Sequence, residues 1–222
     1  MSSNEVSLPI WYVYGAGGLG QETMDIIIDN IRAKVIEEYQ LRFLVDASDD
    51  STINGISVVE LNECKPGANV TVAVGEPKLR AALAEKAIAK GLRLASVISN
   101  RAFVSESATI GDGSIIAPFA SLQSMAKVGS NVSINTQTIV GHHVEVQDGA
   151  VISSQVNLGG AVVVGECSYV GMGAMILEQV KIGSWSIIGM GSAVYKDISD
   201  EVIALGNPAR VARKNEDRKV FK

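Results

Sequence analysis

From Val104 to Val194 every sixth residue is Ile, Leu or Val, running Val104, Ile110, Ile116, Leu122, Val128, Ile134, Val140 and onward without a break to Ile182, Ile188 and Val194. A period of six matches neither the 3.6-residue face of a helix nor the alternation of a single strand. It suits a chain that turns a corner after each short strand and stacks coil upon coil, so the pattern predicts a parallel β-helix. The residue four places after each aliphatic one is small or β-branched throughout, from Ala108, Ser114, Ala120 and Ala126 to Val180, Ser186 and Ser192. The residue directly after it is often glycine (Gly111, Gly129, Gly141, Gly159, Gly165, Gly171, Gly183, Gly189), which predicts corners with unusual torsions at those glycines. Unbroken phase predicts that no loop leaves the stack.

The first hundred residues have a different rhythm. Ile10–Tyr14 reads as a buried strand, Gly15-Ala-Gly-Gly-Leu-Gly20 as a tight turn, and Met24, Ile27, Ile28 and Ile31 as the apolar stripe of a helix. A second strand, Arg42–Val45, ends on Asp46; a third, Val70–Val74, ends on Gly75 and precedes a helix from about Pro77 to Lys90. The expected architecture is α/β plus all-β: a Rossmann-like βαβαβ domain over residues 1–98, then a β-helix with a C-terminal tail over residues 99–222. The stretch Ala95–Arg101 between them is not rich in Pro or Ser, which predicts close packing of the two parts.

Composition narrows the partners. With 47% hydrophobic and 19% charged residues the chain reads as soluble and globular, and its net charge of −5 argues against a broad nucleic-acid surface. Cys64 and Cys167 show no CxxC spacing, so neither a disulfide framework nor a thiolate metal site is expected. The N-terminal residues lack the basic start and apolar core of a leader, and no run of about eighteen apolar residues occurs, which predicts a cytoplasmic protein without membrane contact.

Two places carry candidate chemistry. In the first turn Gly15, Gly17, Gly18 and Leu19 would let a ligand approach the backbone, and the helix N-terminus behind them offers N–H groups to a pyrophosphate, although the same glycines also serve a plain tight turn. Asp46 is placed to accept hydrogen bonds from a ribose or base, the other reading being a loop acid beside Asp49 and Asp50. Gly75, Glu76 and Lys78 are candidates to border the same ligand. The domain is too short for a second mononucleotide half, so one nucleoside diphosphate fits better than NAD. The second place is His142-His143, the only histidines, set mid-array with Val140 inward and Val144 in the small register, so that at least one imidazole points outward. An exposed imidazole is the usual general base. Adjacent histidines do not chelate one ion from the same side and no third exists, so no metal is expected.

Together the Gly15–Gly20 turn, the Asp46 strand end, the hexapeptide array, the internal His and Gly206-Asn-Pro-Ala-Arg210 resemble the bacterial sugar O- and N-acyltransferases of the sialic acid O-acetyltransferase family with hexapeptide repeats. In layout the chain is similar to the N-acetyltransferases acting on UDP-4-amino-4,6-dideoxy sugars, and the resemblance covers nearly all of it. It implies a left-handed β-helix, a homotrimer with sites between neighbouring β-helices, acetyl-CoA as cosubstrate along the coils, and a nucleotide-linked amino sugar, with UDP as the nucleotide. By this resemblance His142 is the base that takes a proton from the C-4 amine as it attacks the thioester, without an acyl-enzyme, and a coil N–H stabilises the oxyanion. Asn135 matches a polar active-site residue. Relatives commonly carry an acid directly after the catalytic His, where this chain has His143; Glu145 and Asp148 are candidates for that role, and His143 for contact with substrate or the neighbouring subunit. Gly160, Gly165, Ala174 and Met175 are candidates to line the pantetheine path, and Arg210 and Lys214 to meet CoA phosphates, with coil packing and a solvated tail as the other readings. O-acetylation of sialic acid and a non-catalytic sugar-nucleotide-binding scaffold are the competing functions.

Overall fold

The computed structural model describes residues 8–47 and 51–221; Asp49 and Asp50 lie outside them, as do the first seven residues read for a leader. The N-terminal sheet has the order β3-β4-β2-β1-β5-β6, with β1 Ile10–Tyr14, β2 Gln40–Val45, β3 Thr52–Ile53, β4 Ile56–Glu60, β5 Asn69–Val72 and β6 Arg93–Leu94. Central β1 pairs in parallel with β2 and β5 and is buried along its whole length. Its side chains alternate between faces. Trp11 and Val13 pack with Met24, Ile26 and Ile27 of α1 (Gly18–Arg32), whereas Tyr12 and Tyr14 pack with Leu83, Ala84 and Ala87 of α2 (Pro77–Ala89). Among the described residues no helix is long and apolar enough to cross a membrane.

The Rossmann-like layout stands, but its second crossover is not helical as βαβαβ implies. The chain leaves β2 through the antiparallel β3–β4 hairpin and a single 3-10 turn, Leu61–Glu63. Asn54 and Gly55 both take positive φ (52° and 77°), the requirement of a two-residue type I′ turn. The β-branched residues flanking that pair favour strand, and Pro66-Gly67 interrupts the short remainder before β5.

From Val97 onward each hexapeptide contributes a two-residue strand to one of three parallel stacks, of six, six and five such strands, the first extended to eight by the terminal hairpin. Ile116 pairs with Ile134, Ile134 with Ile152 and Ile152 with Val170, so one coil takes eighteen residues. These aliphatics fill the axis of the solenoid with almost no exposure. The small register lies inside the corners, fully buried from Ser114 to Ala174. Its hydroxyls are satisfied by carbonyls of the next coil, Ser114 Oγ donating to Gly129 O (2.8 Å) and Thr138 Oγ1 to Ser153 O (2.8 Å).

The glycines that follow the aliphatic positions need correction. Gly111, Gly129, Gly141, Gly159, Gly165, Gly171, Gly183 and Gly189 are absent from the residues with left-handed torsions; what they provide is space. A Cβ on Gly111 would stand 2.6 Å from Gly129 C, and one on Gly141 2.6 Å from Leu158 O. The left-handed position falls two residues later. There Gly113, Phe119, Met125, Asn131, Gln137, His143 and their successors through Gly191 all have φ between 50° and 74°. The coil ladder imposes this conformation, because the amide at that position donates to the preceding coil, as His143 N–H does to Ser124 O (3.0 Å) and Ala161 N–H to His142 O (2.8 Å).

The two parts are locked together by buried polar contacts. Asn30 of α1 donates to Ile98 O (2.8 Å) and accepts from Asn100 N–H (3.0 Å). Arg80 of α2, fully buried, donates to Asn131 O (2.6 Å), Val132 O (3.2 Å), Gly113 O and Val74 O, carbonyls of the coil corners and of the loop after β5. At the far end Val202–Gly206 extends the eight-stranded sheet and folds back antiparallel on Ala209–Lys214.

Candidate active site

His142 and His143 occupy a corner between the face carrying Ile139–Val140 and the face carrying Glu145–Val146, and both rings are exposed. Eighteen residues further on, Gly160 lies directly beneath the first imidazole: a Cβ added there would stand 2.4 Å from His142 Cε1 and 2.6 Å from Nε2. Gly160, expected along the pantetheine path, is therefore the platform on which the His142 ring rests. The two rings meet edge to face with centroids 5.4 Å apart, and their Nδ1 atoms are 3.2 Å apart, a hydrogen bond whose direction depends on tautomer.

Neither acid expected to stand in for the missing carboxylate reaches the pair. Asp148 Oδ1 accepts the Ser130 amide (2.7 Å) at the next corner, and Glu145 lies with it on the charged face beside Lys127 and Glu166. Glu145 lies on the face that adjoins the His corner, and Asp148 at the far end of that face.

Asn135 is held elsewhere. Its Oδ1 accepts from Ser133 Oγ (2.9 Å), and it lines a cleft of about 530 Å³ between α1 and the coils. Leu19, Glu22, Thr23, Ile26 and Asp29 line one wall, and Ser99, Ile115, Pro118 and Thr136 the other. That volume suits a small ligand. His142 does not line this cleft; within one chain Asn135 and His142 stand at the two ends of the strand Ile139–Val140.

In the first turn the glycines divide into two kinds. Gly15 has φ 112° and a Cβ there would strike Ala73 O at 2.8 Å, while a Cβ on Gly20 would overlap Gly15 O, so these two serve the close packing of helix against strand. A Cβ on Gly17 or Gly18 meets nothing within 4 Å, which leaves the N-terminus of α1 open on that side. Leu19 borders the cleft, and the β3–β4 hairpin closes in through Asn54 Nδ2 donating to Gln21 Oε1 (3.1 Å). That hairpin wall was not anticipated, although the Asn-Gly pair signalled it.

Asp46 does not stand free. Tyr14 Oη donates to its Oδ1 (2.5 Å) and Lys86 Nζ to its Oδ2 (2.7 Å). The Lys86 and Tyr14 hydrogen bonds hold its carboxyl below the ordinary range, and burial with the Asp46 contact pushes the Tyr14 phenol up. Glu76 is also engaged: its carboxylate accepts the Val220 and Phe221 amides (3.0 Å each), Phe221 covers Gly75, and Lys78 Nζ donates to Asp217 O (3.3 Å). The three residues expected to border a nucleotide thus hold the C-terminal tail.

Of the remaining expected positions, Ala174 is wholly inside the solenoid, so its side chain touches no ligand. Gly165 sits where a Cβ would strike Ser184 N at 2.5 Å, a coil-packing role. Arg210 and Lys214 are exposed on the terminal hairpin, and Met175 is exposed on the face that carries Ile139. Phe103, Phe119, Met125, Ile139, Met172, Met175, Leu177, Met190 and Tyr195 are all exposed on this one face and its two corners. The position just before an inward aliphatic could have revealed it, because Phe103, Ile139 and Met175 recur there at every second coil. An apolar surface of this extent marks a contact region.

Comparison with known proteins identifies the family. The family model described as the PglD N-terminal domain matches residues 12–87. The GDP-perosamine N-acetyltransferase of Escherichia coli O157:H7 is 27% identical over 124 residues; the match spans 54% of this chain and only about half, 56%, of that relative. The acetyltransferase domain of PglB from Neisseria gonorrhoeae FA1090, in complex with acetyl coenzyme A, is 31% identical with a TM-score of 0.83, over 92% of this chain and 100% of that one. PerB from Caulobacter crescentus, in complex with CoA and GDP-perosamine, is 28% identical with a TM-score of 0.79, over 91% and 96%. The fold and these matches define an acyltransferase of the hexapeptide-repeat class, whose β-helix is left-handed. The chain belongs to the bacterial sugar N-acetyltransferases that join a PglD-type N-terminal domain to that β-helix.

Proposed function

We propose that the protein transfers the acetyl group of acetyl-CoA to the amine of a nucleotide-linked 4-amino-4,6-dideoxy sugar, with His142 as the general base. The observation that carries this reading is the exposed His142 imidazole seated on the Gly160 backbone in a chain of this family. The amine nitrogen attacks the thioester carbonyl carbon while His142 Nε2 accepts its proton; the C–S bond then breaks, and the departing thiolate takes that proton from the imidazolium. The coil ladder engages the amides of Gly159 and Ala161 and passes over that of Gly160, which leaves an N–H beside the imidazole for the oxyanion. The open α1 N-terminus behind Gly17 and Gly18 is suited to the pyrophosphate.

A homotrimer accounts for the rest of the geometry. Asn135 and its cleft stand at one end of the exposed apolar face and His142 at the other, so a second copy packed on that face brings the cleft of one chain to the imidazole of the next. The resemblance implied UDP; the names of two relatives carry GDP-perosamine, and the two bases are compared directly. Thiol release from acetyl-CoA is followed with UDP-, GDP- and dTDP-linked 4-amino and 3-amino sugars and with free sialic acid. Turnover with one nucleotide 4-amino sugar, a product stable to mild hydroxylamine, and a loss of about two to four orders of magnitude in His142→Ala are expected. Full activity of that variant at every pH removes His142 from the role, and a hydroxylamine-labile product means an ester and an O-acetyltransferase.

A further inference from the structure

A neutral histidine can accept a proton at Nε2 only if its own proton sits on Nδ1. Among the described residues His142 Nδ1 has one partner, Nδ1 of His143 at 3.2 Å. If His143 donated along that contact, His142 would carry its proton on Nε2 and have no lone pair facing the substrate. In the opposite direction His143 accepts, His142 is fixed as the Nδ1–H tautomer, and Nε2 is free over Gly160. The contact is held from the backbone: His143 is in the left-handed conformation (φ 58°) and its amide is tied to Ser124 O (3.0 Å), which turns its ring edge-on to His142 at 84°.

We propose that His143 is a positioning residue: a neutral imidazole that accepts the His142 Nδ1–H, selects the base-competent tautomer and takes the place of a carboxylate. The inference rests on His142 being the base. When His142 gains the proton of the amine, the contact becomes a charge-assisted hydrogen bond and strengthens. Unlike a carboxylate, His143 loses its acceptor when it is itself protonated. The corner rows stacked on the pair carry Ser124 and Met125 on one side and Gly160 and Ala161 on the other, none of which titrates in the working range. Glu106 and Glu178 stand one coil farther out, and Lys127 and Glu145 lie on the adjoining face.

The test uses the full chain with acetyl-CoA and the accepted nucleotide sugar. His143→Ala keeps the corner, since Ala161 takes the equivalent place on the next coil at φ 59°, and His143→Gln copies Gln137, Gln155 and Gln179 at theirs. Expected are a fall in kcat of about 10-fold in His143→Ala with KM unchanged, and restoration of most of that loss in His143→Gln, which keeps an acceptor. His143→Glu, which places a carboxylate acceptor at the same corner, is expected to match or exceed His143→Gln in kcat. Ring nitrogen NMR of the unaltered protein is expected to show the His142 proton on Nδ1, and that of His143→Ala to show it on Nε2. A proton found on Nε2 of His142, or a His143→Ala variant with kcat unchanged while His142→Ala is inactive, overturns the positioning role. An active His142→Ala instead overturns the reading of His142 as base.

Discussion

Substituting Gly160 by alanine perturbs the imidazole and little else. The added Cβ would stand 2.4 Å from His142 Cε1, 2.6 Å from Nε2 and 3.1 Å from Nδ1, and these are its three nearest neighbours. Ordinary carbon contacts begin near about 3.5 Å, so the ring has to retreat by about 1 Å. A misplacement of about 1 Å at a reacting group costs roughly 100-fold in rate, or about 2.7 kcal/mol of barrier. The fold resists much less, because Gly160 lacks a left-handed φ and the obstructing atoms belong to an exposed side chain free to swing outward. Restricting the unfolded chain by the same change stabilises by about 0.4–1 kcal/mol. The expected outcome is thus a kcat lowered about 100-fold with the melting temperature unchanged or slightly raised, read by thiol release and thermal scanning of the same preparation. Gly159→Ala is the contrast: its Cβ meets backbone, Glu178 N at 2.6 Å and Ile176 O at 2.9 Å, and the loss falls on stability. A Gly160→Ala enzyme with unaltered kcat would refute the contact between this glycine and the base.

Two further outcomes follow from the same coordinates. Arg80→Met strips the coil corner of its donors to Asn131 O (2.6 Å) and Gly113 O, while Val132 O keeps the Ile115 amide (2.8 Å); at about 1–3 kcal/mol for each unsatisfied carbonyl, less the desolvation of a guanidinium that burial pushes down to about 9, the net cost is about 2–4 kcal/mol. The melting temperature should drop by about 5–15 °C, and an unchanged one would show that the clamp contributes nothing. Lys86→Met removes the largest influence holding the Asp46 carboxyl below 3.8. The folded state of the unaltered protein favours the ionised form, so this contribution is complete above 3.8 and is lost as pH falls through the lower folded value; carboxyl NMR should find Asp46 of the variant titrating higher, and an identical titration would contradict the assignment.

The six-residue period was legible because the axis of a solenoid admits only branched aliphatics, and Val104 to Val194 satisfy it at every step. Glycine was harder to read. The letter records a missing Cβ without saying whether the backbone needs a torsion or its neighbour needs room, and Gly111, Gly129 and Gly141 belong to the second case. The left-handed corner was hidden for the opposite reason: Phe119, Met125, Gln137, His143, Cys167 and Trp185 share no side-chain property, since the ladder rather than the residue imposes the conformation. Arg80 was invisible too, as an arginine on a helix ordinarily reads as solvated, and its acceptors are carbonyls that no sequence pattern displays.

The site itself became legible once the coil length was known. Each residue's neighbours on the stack stand eighteen places away, so His142 must meet Gly160 and Ser124, and their roles follow from size and position. By the same rule Asn135 belongs to the row of Ala117 and Ser153, one full strand away from the row of His142. On the proposed reading, the base His142 and the orienting amide Asn135 are separated within one chain by the strand Ile139–Val140. In the proposed homotrimer they meet across the apolar face, shared with another copy. Exposed Ile139 and Met175 lie on that face, where the second copy of the proposed homotrimer would cover them.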